Sequence, residues 1–312
     1  MTQTDSWSFP AAQDGRHVVS IGTFDGVHLG HQHLLERAGA RADELGVPLL
    51  AVTFEPNPAQ VIRPDKFRGR LHTPQQKLDR LEEHADDIVV VPFTETLMRE
   101  SPESFLERLV TSTDPVEVWV GEEFALGHKR SGDIARLTEI GAALGFTLVA
   151  VARREFGGQV VSSSRIRQLI LDADMETAEL LLDYPYRISG EVIKGAQIGR
   201  TIGFPTANVV PPALLVPVPD GIYATIAFID ESDEARGAMT YIGTRPALNT
   251  GERLIETHIL DYSGDLYGHV LHCDFLRRLR PDATFDSLDA LVAQLKNDEI
   301  AARKALREYN EL

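Results

Sequence analysis

Along the first half of the chain, short apolar runs alternate with stretches whose apolar residues recur every three or four positions. "HVVSIGTF", "VPLLAVTF", "DDIVVVPF", "VEVWVG" and "FTLVAVA" are short and almost continuously apolar, and they read as buried strands. After the first of them, Leu34, Leu35, Ala38, Ala42 and Leu45 fall at helical spacing. Further helices are expected around residues 74–84, 103–111 and 132–144. Repetition of strand, helix, strand predicts an α/β domain, a parallel sheet with helices on both faces. In such sheets ligands bind beyond the carboxyl ends of the strands.

From about Tyr186 the pattern changes. "YRISGEVI", "GIYATIAFID", "RGAMTYIG", "RLIETHILDY" and "LYGHVLHCDFL" are rich in β-branched and aromatic residues, with turn residues between them. They predict an antiparallel sheet or small β-barrel. A terminal helix is expected from about Ser287 to Tyr309, carrying Leu288, Leu291, Leu295, Ile300 and Leu306. "LLLDYPYR" separates the two textures, because Pro185 ends a helix that begins near Glu176. The expected domains are therefore residues 1–184 and 185–312.

Composition narrows the partners. With 312 residues and a net charge of −16, the chain is ill suited to nucleic acid, whose phosphate backbone requires a basic surface. No apolar run approaches the ~20 residues of a membrane span, and the N-terminus lacks a signal-peptide pattern. Cys273 is the sole cysteine, which excludes an internal disulfide and points to a cytoplasmic protein. Anionic small molecules remain open as ligands, since helix N-termini and local basic groups bind phosphate even on an acidic protein. Nothing in the sequence fixes the oligomeric state, and a homo-oligomer is compatible with it.

The densest candidate chemistry is "IGTFDGVHLGH", residues 21–31, at the carboxyl end of the first strand. At i and i+3 of a helix start, His28 and His31 share a face where free N–H groups and the helix dipole favour an anion. Gly30 leaves room for phosphate to approach the backbone, and imidazole donates to phosphoryl oxygens. A zinc site is the weaker alternative, because no third ligand stands nearby in sequence. Further on, "VVSSSRIRQLI" places Ser162, Ser163, Ser164, Arg165 and Arg167 at another helix start, suited to a triphosphate. Past the boundary comes "GAQIGRTIGFPTAN", residues 195–208. Gly195, Gly199 and Gly203 permit close backbone approach to phosphate, and Thr206 and Asn208 offer hard oxygen ligands two residues apart. On the residues alone, a turn-rich lead-in to a strand explains the segment equally well.

The string G-x-F-D-x-x-H-x-G-H resembles the signature of the nucleotidyltransferase superfamily, in which the histidines stabilise the transition state at the α-phosphate. Paired with the serine–arginine segment, it looks like the flavin branch of that superfamily; Ser164 replaces a threonine and keeps the hydroxyl. "GAQIGRTIGFPTAN" is similar to the riboflavin kinase motif, and "RLIETHILDYSGDLYG" to the strand carrying that family's catalytic glutamate, which falls on Glu256. Over residues ~17–307 the chain thus resembles the bacterial bifunctional riboflavin kinase/FAD synthetases.

The resemblance implies a Rossmann-like FMN adenylyltransferase domain followed by a riboflavin kinase β-barrel. Riboflavin, FMN and ATP are then substrates, Mg²⁺ the metal, and FMN and FAD the products. It implies catalytic roles for His28, His31 and Glu256, and metal binding by Thr206 and Asn208. Nucleotide binding falls to Gly22, Phe24, Asp25, Gly30, Ser163, Ser164, Arg165, Arg167, Gly195, Gly199 and Arg200. Flavin binding falls to Asn57, Glu123 and Phe204. The chain departs from the family pattern at Asn57, where histidine is usual, at Glu123 and Leu126, and at Ala247, where threonine is common. Two other readings stand beside it: a riboflavin kinase with a drifted adenylyltransferase half, and a non-catalytic flavin sensor.

Overall fold

The computed structural model describes residues 15–195, 197–244 and 253–311, so Ala247 lies outside the described residues. The chain divides into two compact units between Ser163 and Ser164. The first begins with β1 (His17–Ile21), α1 (Leu29–Leu45), β2 (Leu49–Glu55), α2 (Pro58–Ile62), α3 (Pro74–Glu82) and β3 (Asp87–Pro92). It continues through α4 (Glu95–Met98), α5 (Pro102–Thr113), β4 (Pro115–Gly121), α6 (Ile134–Leu144) and β5 (Thr147–Val151). A short hairpin, β6 (Glu155–Phe156) with β7 (Gln159–Val160), leads to the boundary.

The five long strands form one parallel sheet in the order β3-β2-β1-β4-β5. Alternate residues of each strand face opposite sides, which builds two cores. Val18, Leu49 and Ala51 pack with Leu34, Leu35, Ala38 and Ala42 of α1 on one face. Val19, Ile21, Leu50 and Val52 pack with Phe105, Leu109, Leu137 and Ile140 of α5 and α6 on the other. Because both faces are covered, all five residues of β1 are buried, the polar His17 and Ser20 included, as its almost continuously apolar pattern implied. The order reverses direction at β1, with β2 on one side and β4 on the other, so the ligand crevice is expected at the carboxyl end of β1.

The second unit begins with α7 (Ser163–Leu171), most of which it contains, and α8 (Met175–Leu182). Then come β8 (Tyr186–Ile193), α9 (Ile198–Thr201), β9 (Ala207–Val209), β10 (Gly221–Ile229), β11 (Arg236–Thr244), β12 (Arg253–Ile259), β13 (Val270–Pro281) and α10 (Leu288–Asn310). Its six strands close into an antiparallel barrel, β10-β11-β12-β9-β8-β13. Thr225, Thr240, Thr257 and Cys273 form a buried side-chain ladder, with successive contacts of 2.8, 3.0 and 3.3 Å. Ile222, Ala224 and Met239 alternate with those threonines and pack instead against Phe204 and against Ala302 and Ala305 of α10.

The terminal helix corrects one expectation. Leu288 and Ile300 are exposed, while the buried positions of α10 are Asp298, Ala302 and Ala305. Alanines let the helix approach the barrel closely, and Arg280 of β13 neutralises Asp298 through bonds of 2.8 to 3.1 Å. α8 belongs with this unit by packing: Arg277 of β13 bridges Glu176 and Glu308, and Tyr309 donates to Glu179 at 2.7 Å. No helix of the described residues is long and apolar enough to cross a membrane.

Candidate functional site

In the first unit, the loop between β1 and α1 is held in a conformation that ordinary side chains resist. Phe24 has φ 47° and Val27 φ 28°, and both are fully buried. A β-branched residue at positive φ is strained, and such strain persists only where packing and hydrogen bonds over-determine the backbone. The determinants are visible. Gly22 N–H donates to Val52 O at 3.0 Å and Val27 N–H to Phe24 O at 3.2 Å. Gly26, at φ 90°, takes the turn without a Cβ penalty.

Asp25 is the hub of this loop. Its Oδ1 accepts the Leu71 N–H at 2.9 Å, its Oδ2 accepts Asn57 Nδ2 at 3.3 Å, and its carbonyl accepts Ser163 Oγ at 2.7 Å. One residue thus draws together four separate segments. Asn57 also caps α2 by accepting the Ala59 N–H at 3.0 Å. The residue that departs from the family pattern is therefore buried and takes part in fixing the loop.

His28 is the N-cap of α1 rather than its first helical residue. Its Nδ1 accepts the Gly30 N–H at 3.2 Å, so in the neutral ring the proton is on Nε2. A Cβ on Gly30 would lie 3.2 Å from that ring, a tight contact that any side chain here would have to relieve. His31 stacks on His28 with ring centroids 3.7 Å apart, and Phe24 meets His31 edge-on at 5.3 Å. The Nδ1 of His31 is buried and has no hydrogen-bond partner among the described residues. Burial, then the neighbouring His28 and His72, hold its proton affinity well below the ordinary imidazole range.

Sequence reasoning missed a buried polar cluster beside these histidines. Lys77 of α3 bonds Glu55 at 2.6 Å and the Phe54 carbonyl at 2.9 Å, while Arg70 reaches Glu55 and Gln60 at 3.3 and 3.1 Å. His72 follows Leu71 directly, and only 7% of it is exposed. The available signal was the capping box Thr73-Pro-Gln-Gln76, which fixes α3 just after "RGRLH".

Burial, and then the charges of Arg80, Lys77 and His28, push the His72 imidazole down to about 3 from 6.5. The unfolded chain therefore binds one more proton than the folded one between these values. This contribution is intact above pH 6.5 and is lost as pH falls toward 3, at about 1.4 kcal/mol per pH unit. His72→Gln should flatten the fall in urea-unfolding stability between pH 6.5 and 5 by about one proton's slope. An unchanged slope would mean that another group titrates.

The remaining residues expected at this site lie on the loop after β4 and on α7. Glu123 is exposed and ion-paired with Arg153. Leu126 bridges to Gly132 and packs against the core. Ser164, Arg165 and Arg167 continue α7 from Ser163, within the second compact unit.

In the second unit, Glu256 lies on β12, directly opposite Asn208 of β9 and Tyr241 of β11. Residues directly opposite in an antiparallel ladder share a face, so these three project together, away from the threonine ladder. Glu256 is 7% exposed and accepts a hydrogen bond from Thr206 Oγ1 at 3.3 Å. Thr206, Asn208 and Glu256 thus converge. The glycines before them are needed for space: a Cβ on Gly195 would lie 2.4 Å from Asn208 Nδ2, and one on Gly199 would lie 2.1 Å from the Phe204 carbonyl.

Phe204 is buried and meets the His258 ring edge-on at 5.4 Å, while His258 Nδ1–H donates to the Pro205 carbonyl at 2.7 Å. Arg200 and Lys194 flank the Tyr267 ring at 5.6 and 5.7 Å, and Gln197 Nε2 donates to its hydroxyl at 2.9 Å. Tyr267 and Gln197 were not foreseen. Among the described residues no group of three His, Cys, Asp or Glu side chains could hold a metal. Two neutral oxygens beside one carboxylate do fit a hard divalent cation that takes its other ligands from phosphate and water.

Comparison with known proteins matches both halves. Residues 11–165 match the family model described as FAD synthetase, and residues 182–306 match that described as riboflavin kinase. The chain is 37% identical over 288 residues to a bifunctional riboflavin kinase/FMN adenylyltransferase of Pseudomonas fluorescens, covering 92% of each chain. It is 35% identical over 296 residues to the protein of the same description from Escherichia coli (strain K12), covering 94% of each. Among solved structures, a protein from Streptococcus pneumoniae described as a macrolide-efflux protein superposes with a TM-score of 0.85. That superposition covers 94% of this chain and 95% of the other, at 28% identity.

Proposed function

The chain belongs to the bifunctional riboflavin kinase/FMN adenylyltransferase family, and from that premise we propose which of its groups carry each step. The enzyme uses ATP twice, first to phosphorylate riboflavin to FMN and then to adenylylate FMN to FAD. The observation that supports the assignment of roles is that the loop carrying His28 and His31 and the Thr206, Asn208 and Glu256 cluster lie in different compact units, each suited to a different phosphate reaction.

We assign the kinase step to residues 185–312. The 5′-hydroxyl of riboflavin attacks the γ-phosphorus of ATP; its proton passes to the Glu256 carboxylate as the new P–O bond forms and the bond to the ADP oxygen breaks. Thr206 and Asn208, with Glu256 beside them, would hold Mg²⁺, which when bound neutralises phosphate charge. Gly195, Gly199 and Arg200 bind the nucleotide, and Phe204 supplies an apolar wall for the flavin.

We assign the adenylyl step to residues 1–184. A phosphate oxygen of FMN attacks the α-phosphorus and pyrophosphate leaves. The nucleophile is already anionic, so no base is required. His28 Nε2–H and His31 donate to the oxygens on which charge accumulates, a preorganised stabilisation that costs no rearrangement during the reaction. Gly22, Phe24, Asp25 and Gly30 shape the loop that presents them. Ser163, Ser164, Arg165 and Arg167 take the triphosphate, with Asn57 and Glu123 on the flavin side. A cytoplasmic location, in keeping with the free thiol of Cys273, is part of the same proposal.

Purified enzyme given riboflavin and ATP, sampled in time and resolved by chromatography, should accumulate FMN first and FAD after it. FMN alone would remove the adenylyl assignment, and neither product would remove both.

A further inference from the structure

Arg70 is a buried cation that neither step has used. It lies between α2 and α3, and its side chain is only 10% exposed. Both ends of its guanidinium are occupied, Nη1 by Glu55 and Nη2 by Gln60. Its Nε–H is buried and has no hydrogen-bond partner among the described residues. Buried donors are nearly always satisfied in folded proteins, so an orphan on a charged group leaves a position for an acceptor from outside, whether water, ion or ligand. Charge balance does not explain Arg70 either, because Lys77 already meets Glu55 at 2.6 Å.

Its position indicates which acceptor. The Leu71 N–H next to it is held by Asp25 Oδ1 at 2.9 Å, which pins this segment to the loop carrying His28. Glu55, its ion-pair partner, ends β2, and β2 neighbours β1 on the side away from β4 and β5. Ser163, assigned to the nucleotide, meets the same loop through the Asp25 carbonyl at 2.7 Å. Asp25 thus carries the nucleotide segment on its carbonyl and the Arg70–Leu71 segment on its carboxylate.

We propose that Arg70 receives the phosphate monoester of FMN, the attacking group of the adenylyl transfer, and is the residue by which the first site distinguishes FMN from riboflavin. The proposal rests on the adenylyltransferase reading above. A phosphate dianion has oxygens to spare: one attacks the α-phosphorus while another accepts the Nε–H, and the fixed guanidinium charge holds the group in line. Riboflavin would leave that donor buried and unpaired. A site built to pair a polar group rejects the analogue that lacks it more sharply than an apolar pocket could.

The test is steady-state FAD synthesis by the full-length enzyme, with FMN and ATP varied in turn. Arg70→Met removes the donor and the charge, whereas Arg70→Lys keeps a cation opposite Glu55 and lacks the Nε donor. In both, the KM for FMN should rise roughly 10- to 100-fold while the KM for ATP stays within about twofold. Riboflavin phosphorylation by the other unit should be unchanged. A rise in the KM for ATP alone would overturn the proposal, assigning Arg70 to the triphosphate. In the correctly folded Lys variant, unchanged KM values for both substrates would also overturn it, leaving Arg70 an internal ion pair. Failure of the underlying reading is distinguishable, because wild-type enzyme would then make no FAD at all.

Discussion

Glu256→Gln lowers riboflavin phosphorylation by roughly 10²–10⁴-fold, the usual range for loss of a general base, and leaves adenylylation of added FMN intact. Burial and register make this a clean substitution. Glu256 is 7% exposed and shares its strand face with Asn208 and Tyr241, so the amide occupies the same volume without new space or new exposure. Thr206 Oγ1, 3.3 Å away, can still donate to the amide oxygen. What the amide cannot do is take the proton that the 5′-hydroxyl must lose. The loss should therefore appear in kcat, with the KM for riboflavin little changed, because ground-state contacts survive. A variant that phosphorylates riboflavin within a few-fold of wild type would place the base elsewhere, bulk water included.

What the sequence disclosed and what it hid follow from distance along the chain. His28, Gly30 and His31 were legible because a strand end, a turn and a helix start fall within eleven residues. Arg70, His72 and Lys77 were not, because Asp25 and Leu71, whose contact brings them to the histidines, are 46 positions apart. No local period encodes that contact. The barrel's texture was plain in its long strands, yet β9 stood only as one of two equal readings of its segment: three residues beside a glycine-rich stretch carry no alternation. That short strand nevertheless completes the barrel between β12 and β8 and sets Asn208 against Glu256. The buried face of α10 was misjudged for a related reason. Asp298 looks like a solvent position until Arg280, 18 residues away, is seen to neutralise it.

His28→Ala and His31→Ala each lower FAD formation from supplied FMN by ~10²–10³-fold, the loss expected when one preorganised donor is removed from a developing charge. FMN production by the other unit should continue at the wild-type rate. The two substitutions differ in what else they disturb. His28 caps α1, so alanine there also forfeits about 0.5–2 kcal/mol of helix stability, and a loss of activity could be blamed on the cap. His28→Asn resolves the ambiguity. Asparagine is a good N-cap and can accept the Gly30 N–H, yet it lacks the second ring nitrogen that would donate to phosphate. Stability should recover in the Asn variant while FAD synthesis remains low. His31 is a helical residue whose buried Nδ1 has no partner among the described residues, and its ring contacts His28 at 3.7 Å and Phe24 at 5.3 Å. Its loss should therefore show mainly in turnover. Burial and two neighbouring imidazoles disfavour the doubly protonated ring, so His31 offers phosphate one neutral N–H. FAD synthesis near the wild-type rate in the His28/His31 double alanine variant would remove both histidines from the reaction.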